Sequence, residues 1–519
     1  MGLNPVALTG LDLTLDEIER VARGGATVEL ADDARQRMLA SRAVVEQLVS
    51  EGATVYGVTT GFGDLARRRV PVAAARQLQH NLLVSHAVGL GPAHDAATVR
   101  AMLLLRANTL ARGQSGCRPL VVERLLDFLR AGIHPQVPEQ GSVGASGDLA
   151  PLAHLALPLI GRGHAALKGE VLAGAEALRR SGLEPLTLEA KEGLALLNGT
   201  QQMTAIGALA LLDAERAVGA ASVTGAMSVE ALLGTDVAFA ADYQTARPHP
   251  GQARVAAELR HLLRDSALQR SHHAVAHKVQ DPYSIRCIPQ VHGTAVDALR
   301  YVRGVLEIEV NSATDNPLIF PEGADVDASA EATGGGRVVS GGNFHGQPVA
   351  LAMDLLAMAM AEVGSISERR SAQLVDPKTS GLPAFLAAEA GLNSGMMMYQ
   401  VAAAALVSEN KSLAHPASVD SIPTNANQED HVSMGPIAAR QARAVVRNVE
   451  NVLALELLCA AQGLDFRMAD GVRVGVGVGH AQQLLREVVG HLDDDREPAA
   501  DIAAAADLVR SGRLSALLP

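Results

Sequence analysis

Apolar positions recur at helical spacing along most of the chain. The i, i+3, i+4, i+7 pattern predicts a helix over Asp32–Ser50 and another opened by Pro71 that carries His86 near its end, before Gly89. Two more follow at 95–112 and 119–131, stopped by Gly113 and Gly132. Leu188–Leu197 is helical and breaks at Asn198-Gly199. From there the pattern changes. Thr200–Leu233 carries few charges, as do helices near 295–310, 346–373, 394–412 and 436–461. A helix that is apolar on most sides has to be surrounded by other helices. Residues 1–30 read as a short strand-and-helix lead-in, 161–174 as a small hairpin, and the last 40 residues as two short amphipathic helices. The pattern predicts a mainly α protein: a bundle of long helices with a smaller mixed α/β N-terminal part. The expected division is 1–200, 201–470 and 471–519.

Composition narrows this picture. The 519 residues allow about three ordinary domains, and 48% hydrophobic residues allow a large core. The net charge of −12, with no block of basic residues, argues against nucleic acid as a partner. Cys117, Cys287 and Cys459 are far apart and odd in number, which fits a reducing compartment rather than a disulfide framework. The N-terminal stretch lacks a basic start and a long apolar centre, so no signal peptide is expected. Two uncharged stretches, Gly193–Leu212 and Ala390–Ser408, hold amides and hydroxyls in their middles. They read as buried helices rather than membrane spans. The expected location is the cytoplasm, away from membranes.

Polar loops between the helices carry the candidate chemistry. Gly141-Ser142-Val143-Gly144-Ala145-Ser146-Gly147-Asp148 is almost free of bulk and runs into an apolar helix, with Asp148 as its expected N-cap and Pro151 in its first turn. The loop is either a connector or a site where backbone atoms react. Ala145-Ser146-Gly147 has the side chains that backbone cyclisation needs: little obstruction between the Gly147 nitrogen and the Ala145 carbonyl, and a Ser146 hydroxyl that can leave as water. The product is a methylidene-imidazolone (MIO), an electrophile made from the chain itself. Thr54–Gly63 is an irregular loop that is either an ordinary turn or a means of presenting the Tyr56 phenol. His86 is either a satisfied core residue or a ligand-facing one. Gln280–Cys287 joins an amide, a phenol and a guanidinium, and Ala426–Met434 holds two acids and a histidine.

Other patterns carry no chemistry. His273 and His277 have zinc-binding spacing, but Ala274 stands where the HExxH glutamate would be and no third ligand is evident, so no metal is expected. Gly475–Gly479 lacks the GxGxxG spacing and reads as a flexible turn. Residues 467–480 read as irregular throughout.

Taken together, the polar loops supply what removing an amino group from an unactivated α-amino acid requires. An electrophile makes nitrogen a leaving group, a base takes a weakly acidic β-proton, a cation fixes the carboxylate, and polar groups grip the side chain. The run GSVGASGDLAPLAH resembles the MIO-forming segment of the aromatic amino-acid ammonia-lyases, most closely that of their histidine-specific branch. VYGVTTGFG, NLLVSHAVG, GLALLNGTQ, VQDPYSIRC, NSATDNPLIF, SGGNFHG and NQEDHVSM fall in the family's order, so that the resemblance covers roughly residues 10–470.

The resemblance implies an aspartase/fumarase-like architecture and a homotetramer whose sites combine loops from several subunits. It implies MIO formed from Ala145, Ser146 and Gly147 with no external cofactor, and conversion of L-histidine to trans-urocanate and ammonia as the first step of histidine breakdown. Tyr56 would be the base or proton shuttle at the β-carbon. His86 and Glu429 would hold the substrate imidazole, and Asn198 and Arg286 its carboxylate. Gln280, Tyr283 and Phe344 would line and order the pocket around the electrophile. Ser85-His86 stands where phenylalanine-specific relatives look like Phe-Leu and tyrosine-specific ones like His-Leu. A phenyl ring would leave His86 and Glu429 unpaired.

Ile288, His292 and Asn425 depart from the family pattern near the expected pocket, and 334–336 and 471–480 look unlike it. The rival readings are a tyrosine or phenylalanine ammonia-lyase, an MIO aminomutase, and a non-catalytic oligomeric scaffold whose Ala145-Ser146-Gly147 never cyclises. A fumarase-type lyase is disfavoured because its GSxxMPxKxN loop is missing.

Overall fold

The structure is a computed structural model that describes residues 5–53, 57, 60, 70–273, 279–321, 332–333 and 336–519. Tyr56, His277 and Gly334 lie outside the described residues. The chain forms two compact units. One comprises Met1–Leu209, Gly304–Met353 and Pro416–Arg440; the other comprises Ala210–Arg303, Asp354–His415 and Gln441–Pro519. These units interleave along the sequence, whereas the division at 200 and 470 follows consecutive stretches.

The first unit holds the mixed part. Val6–Leu8 pairs in parallel with Val28–Leu30. The connecting helix Leu15–Ala22 starts with a reciprocal cap between Thr14 and Glu17, and it buries Leu15, Ile18 and Val21. The predicted hairpin is present as His164–Leu167 against Glu170–Ala173, with Ile133–Pro135 added as a third antiparallel strand. Leu90–Ala93 pairs with Pro138–Gln140, which delivers the chain into the 141–148 loop.

Four helices of this unit matter below: α1 (Ala75–His86), α2 (Leu149–Ala156), α3 (Glu192–Leu197) and the first turns of α4 (Gln201–Ala231). α3 begins later than the apolar pattern predicts. Lys191, with φ 74°, sits in the left-handed region that ends a helix, and its ammonium is buried on Asp315 at 2.6 Å. The Gly193–Leu212 stretch is therefore two helices, broken at Asn198-Gly199.

The second unit is built of long helices, including Met397–Leu413 and most of Gln347–Val375 and Gly435–Met468. Arg370 and Glu456 form an ion pair with neither side chain exposed. The Glu456 carboxylate also accepts hydrogen bonds from Ser228 and Ser367, each at 2.6 Å. His292 lies against this pair, 3.5 Å from Arg370, and burial followed by the Arg370 charge holds it well below the ordinary histidine range.

Two expectations need correcting here. Ala390–Ser408 is not one buried helix. The helix starts at Met397, and Met398 and Val401 are exposed. The residues before it are held out of helical conformation because the Ser394 and Gly395 N–H groups donate to the Asp495 carboxylate. Nor is Gly475–Gly479 a flexible turn. Residues from Val476 form the helix Val476–Arg486, and the Gly475 N–H is anchored on Glu230 at 2.9 Å. Gly477 is there for packing, since a Cβ would lie 2.6 Å from a Leu262 methyl. Among the described residues one helix, Gln347–Val375, is long and apolar enough to cross a membrane by length and composition alone.

Removing one member of a buried pair strands the other charge. Glu456→Ala is expected to destabilise the protein by about 3–5 kcal/mol. Removing the half-exposed Arg513–Glu487 pair with Glu487→Ala should cost no more than about 1 kcal/mol. Thermal and denaturant melts of the two variants check the contrast.

Candidate functional site

The 141–148 loop is pinned from two sides. On one side Gly147, at φ 70°, lies so close to Gly199 that a Cβ would sit 2.2 Å from the Gly199 carbonyl oxygen. The Asp148 N–H donates to that same oxygen at 2.7 Å. On the other side Ala145 packs on Val432 and Met434. The Ser433 hydroxyl donates to the Gly144 carbonyl at 3.0 Å, and the Met434 N–H donates to the Val143 carbonyl at 2.8 Å. Gly144 has no room for a side chain either, because a Cβ would meet the Ser433 hydroxyl at 2.2 Å. Ser142 closes the loop on itself by donating to the Gly147 carbonyl at 3.2 Å.

Gly147 is thus held with no room for a side chain, and Ala145 is buried two residues before it. Two buried polar atoms beside them, Asp148 Oδ1 and Asn198 Oδ1, have no hydrogen-bond partner. Ala145, Ser146 and Gly147 fit the methylidene-imidazolone that the sequence resemblance implies.

Asp148 does not cap its own helix. α2 starts after it with no side-chain cap bond. Instead its Oδ2 accepts the Gln202 and Met203 N–H groups at 2.8 and 3.0 Å, capping the start of α4. Burial pushes this carboxyl up to about 7, against the pull of those two N–H groups.

Asn198, between α3 and α4, is committed to its surroundings. Its amide donates to Asp315 Oδ1 at 3.3 Å and to the Asn316 carbonyl at 3.1 Å, while its own carbonyl accepts from the buried Arg106 at 2.9 Å. Both partners of Nδ2 can only accept, which fixes the orientation of the amide. What remains free is Oδ1, an acceptor. That atom suits an ammonium group and not a carboxylate, so the carboxylate-binding role inferred for Asn198 does not match its hydrogen bonds.

His86 closes α1. Its Nδ1 lies 2.9 Å from the Leu82 carbonyl and 3.1 Å from the Ser85 hydroxyl. A carbonyl only accepts, so Nδ1 carries the proton and Nε2 is left as an acceptor. Burial lowers the His86 pKa, with the Leu82 bond and the Glu429 charge acting the other way.

Glu429 is presented by an unusual turn. Asn425, Ala426 and Asn427 all adopt positive φ, from 49° to 66°, and Thr424 and Glu429 exchange backbone hydrogen bonds across it. The Glu429 Oε2 accepts from the Thr424 hydroxyl at 2.6 Å, and Oε1 accepts from the Ser146 hydroxyl at 3.1 Å.

These groups share one cavity of about 1040 Å³, lined among others by Ser85, His86, Ala145, Ser146, Asn198, Phe344 and Glu429. His345 and His431 stack in its wall with ring planes 4° apart. The structure therefore brings together His86, Ala145, Ser146, Asn198, Phe344 and Glu429, with Gly147 one residue behind the lining. Asn425 also lines the cavity, whereas Ile288 and His292 are buried in the second unit and do not.

Gln280, Tyr283 and Arg286 belong to the second unit and are not among the lining residues. There Gln280 and Tyr283 are exposed, and the Arg286 guanidinium lies 4.7 Å from the Tyr283 ring centroid. Sequence reasoning missed Thr424, Asn316 and His345. Asn316 and His345 stand inside NSATDNPLIF and SGGNFHG and Thr424 just before Asn425, but nothing in their type announces a role. Among the described residues no group of three or more His, Cys, Asp or Glu could hold a metal ion.

Asp148 gives a pH prediction. Its folded pKa of about 7 lies above the ordinary 3.8, so the folded chain keeps a proton that the unfolded chain has lost. Stability from this group is therefore greatest at the acid end and falls as pH rises from 3.8 to about 7. Asp148→Asn keeps an acceptor for α4 and should flatten that part of the curve of melting temperature against pH.

Residues 13–487 match the family model described as aromatic amino acid lyase. The chain is 54% identical to the histidine ammonia-lyase of Anaeromyxobacter dehalogenans over 520 residues, covering 99% of this chain and 100% of the relative. It is 53% identical to that of Deinococcus radiodurans, covering 97% and 93% respectively. Among solved structures, histidine ammonia-lyase from Trypanosoma cruzi matches with a TM-score of 0.90 at 43% identity, over 99% of this chain and 96% of that one. Tyrosine aminomutase from Streptomyces globisporus matches with a TM-score of 0.91 at 37% identity, over 99% and 98%.

Proposed function

The chain belongs to the aromatic amino acid lyase family, and we propose that it acts there as a histidine ammonia-lyase, converting L-histidine to trans-urocanate and ammonia. The observation that carries this reading is the pair of acceptors, His86 Nε2 and Glu429 Oε1, that share a cavity with Ser146. The relatives named histidine ammonia-lyase at 52–54% identity over nearly the whole chain support the same substrate.

The electrophile is MIO formed from Ala145, Ser146 and Gly147, which when present supplies a methylene carbon that turns the substrate's nitrogen into a leaving group. The protein's own groups do the rest. His86 is held neutral with its Nδ1 proton on Leu82, so Nε2 accepts one N–H of the substrate ring. Glu429 accepts the other. Two acceptors select an imidazolium, and the positive ring beside the β-carbon makes the β-proton easier to remove. A phenyl ring has no donor and leaves both acceptors unpaired, and a phenol has one hydroxyl where the imidazolium has two N–H groups, so it satisfies only one of them, which sets the preference against phenylalanine and tyrosine. Asn198 Oδ1 is the acceptor available to the substrate ammonium. Tyr56 serves as the base at the β-carbon, Arg286 as the carboxylate clamp, and Gln280 and Tyr283 order the pocket.

The active form is a homotetramer with shared sites, in which Gln280, Tyr283 and Arg286 reach the cavity from another copy. Exposed apolar side chains on the single chain, among them Leu392, Met398 and Val401, support such contacts. The protein works in the cytoplasm, in keeping with its three free cysteines.

Urocanate absorbance tests the reading. Purified protein should form urocanate from L-histidine and little or no product from L-tyrosine, and Ser146→Ala should abolish turnover while leaving the assembly folded. Preferred turnover of tyrosine, or full activity in Ser146→Ala, would overturn it. His86→Leu strands one N–H of the bound imidazole and should lower kcat/KM for histidine roughly 10- to 100-fold, measured in the same assay.

A further inference from the structure

One contact in the cavity has no part in substrate binding. The Ser146 hydroxyl donates to Glu429 Oε1 at 3.1 Å. That hydroxyl is the group that must depart for the electrophile to form, so the contact can exist only before maturation. Glu429 is held for it. Its other oxygen is taken by the Thr424 hydroxyl at 2.6 Å, and the left-handed run Asn425–Asn427 fixes the backbone that presents it.

We propose that Glu429 assists the dehydration of Ser146 before it ever meets substrate. The inference rests on the reading that Ala145, Ser146 and Gly147 become MIO. Ring closure joins the Gly147 nitrogen to the Ala145 carbonyl carbon, and the Ala145 oxygen leaves as a first water with the Gly147 and Ser146 amide protons, leaving a double bond from that carbon to the Ser146 nitrogen. In the second step Ser146 loses its Cα proton and its Cβ–Oγ bond, a Cα=Cβ double bond forms, and Oγ leaves as a second water. A hydroxide is a poor leaving group, so the Cα proton has to end on Oγ. Glu429, within hydrogen-bond distance of Oγ, carries that proton across and is itself unchanged.

The same event prepares the site for its substrate. While Ser146 keeps its hydroxyl, Oε1 is occupied. Once the hydroxyl has gone, Oε1 keeps only a long contact of 3.5 Å from the Asn425 amide, and Oε2 remains tied to Thr424. Maturation thus hands one carboxylate oxygen from the serine to the incoming imidazole, and immature chains have the binding atom blocked.

The test follows maturation rather than turnover. Full-length protein is made by cell-free synthesis, and its intact mass is read over time. The unsubstituted chain should become two waters lighter. Glu429→Gln keeps the shape but cannot carry a proton, and should accumulate a species one water lighter, with the second loss slowed at least tenfold. Glu429→Asp, which keeps a carboxyl group on a shorter arm, should mature faster than Glu429→Gln. Circular dichroism and assembly size confirm that the variants fold.

Loss of both waters from Glu429→Gln at the unsubstituted rate would overturn the assignment while leaving the proposed function intact. Loss of neither water from a folded Glu429→Gln would also overturn it, because the carboxylate would then act before ring closure. An unsubstituted, active chain at full mass would instead remove the electrophile, and the inference with it.

Discussion

The backbone of Gly147 presses on the backbone of Gly199, and the site is arranged around that approach. No side chain fits between them. The Asp148 N–H then finds the Gly199 oxygen, and the Asp148 carboxylate finds the first free N–H groups of α4. On the far side Arg106 holds the Asn198 carbonyl and the Gln201 side chain, and Lys191 holds Asp315, which holds the Asn198 amide. Loop, short helix and long helix are therefore one junction. The buried Lys191 and Asp315 charges are tolerated because they are paired with each other. A turn squeezed in this way keeps a backbone nitrogen and a carbonyl carbon two residues apart from drifting into extended conformations, which an unconstrained Ala-Ser-Gly would adopt.

Around the turn, polarity is divided by element. α1 contributes His86, whose proton is turned inward to Leu82 so that the ring offers a lone pair to the cavity. The 424–431 segment contributes Glu429 on a rigid left-handed turn. Neither group acquires its direction from a ligand. Both are fixed by partners in their own element, Leu82 for one and Thr424 for the other. Preorganisation of this kind gives discrimination between rings of similar size, because a ring with fewer than two donors leaves at least one acceptor desolvated and unpaired.

Much of this was legible in the amino-acid sequence, and the exceptions have definite causes. The apolar period located the long helices because burial on several sides leaves a strong composition signal. It misplaced the start of α3, since a buried, left-handed Lys191 looks like any surface lysine until Asp315 is beside it. Asp148 was recognisable as a cap, but which helix it caps depends on a contact 54 residues away in sequence. The glycines at 475, 477 and 479 look like a turn by composition, yet 477 exists to let a helix approach Leu262. Asn425 and Asn427 favour left-handed backbone, but Ala426 does not, so three such residues in a row could not be foreseen. Motifs pointed to His86, Ala145, Ser146, Asn198, Phe344 and Glu429, which line one cavity. The direction of their hydrogen bonds was not legible in the motifs, and that direction is what distinguishes an acceptor at Asn198 from a carboxylate anchor.

The account stands on a covalent change within three neighbouring residues. The most direct measurement is the mass of the proteolytic peptide that carries Ala145, Ser146 and Gly147, taken from protein shown to be active. The account predicts a peptide lighter than its sequence by two waters. The same peptide at its full sequence mass, from active protein, would contradict it.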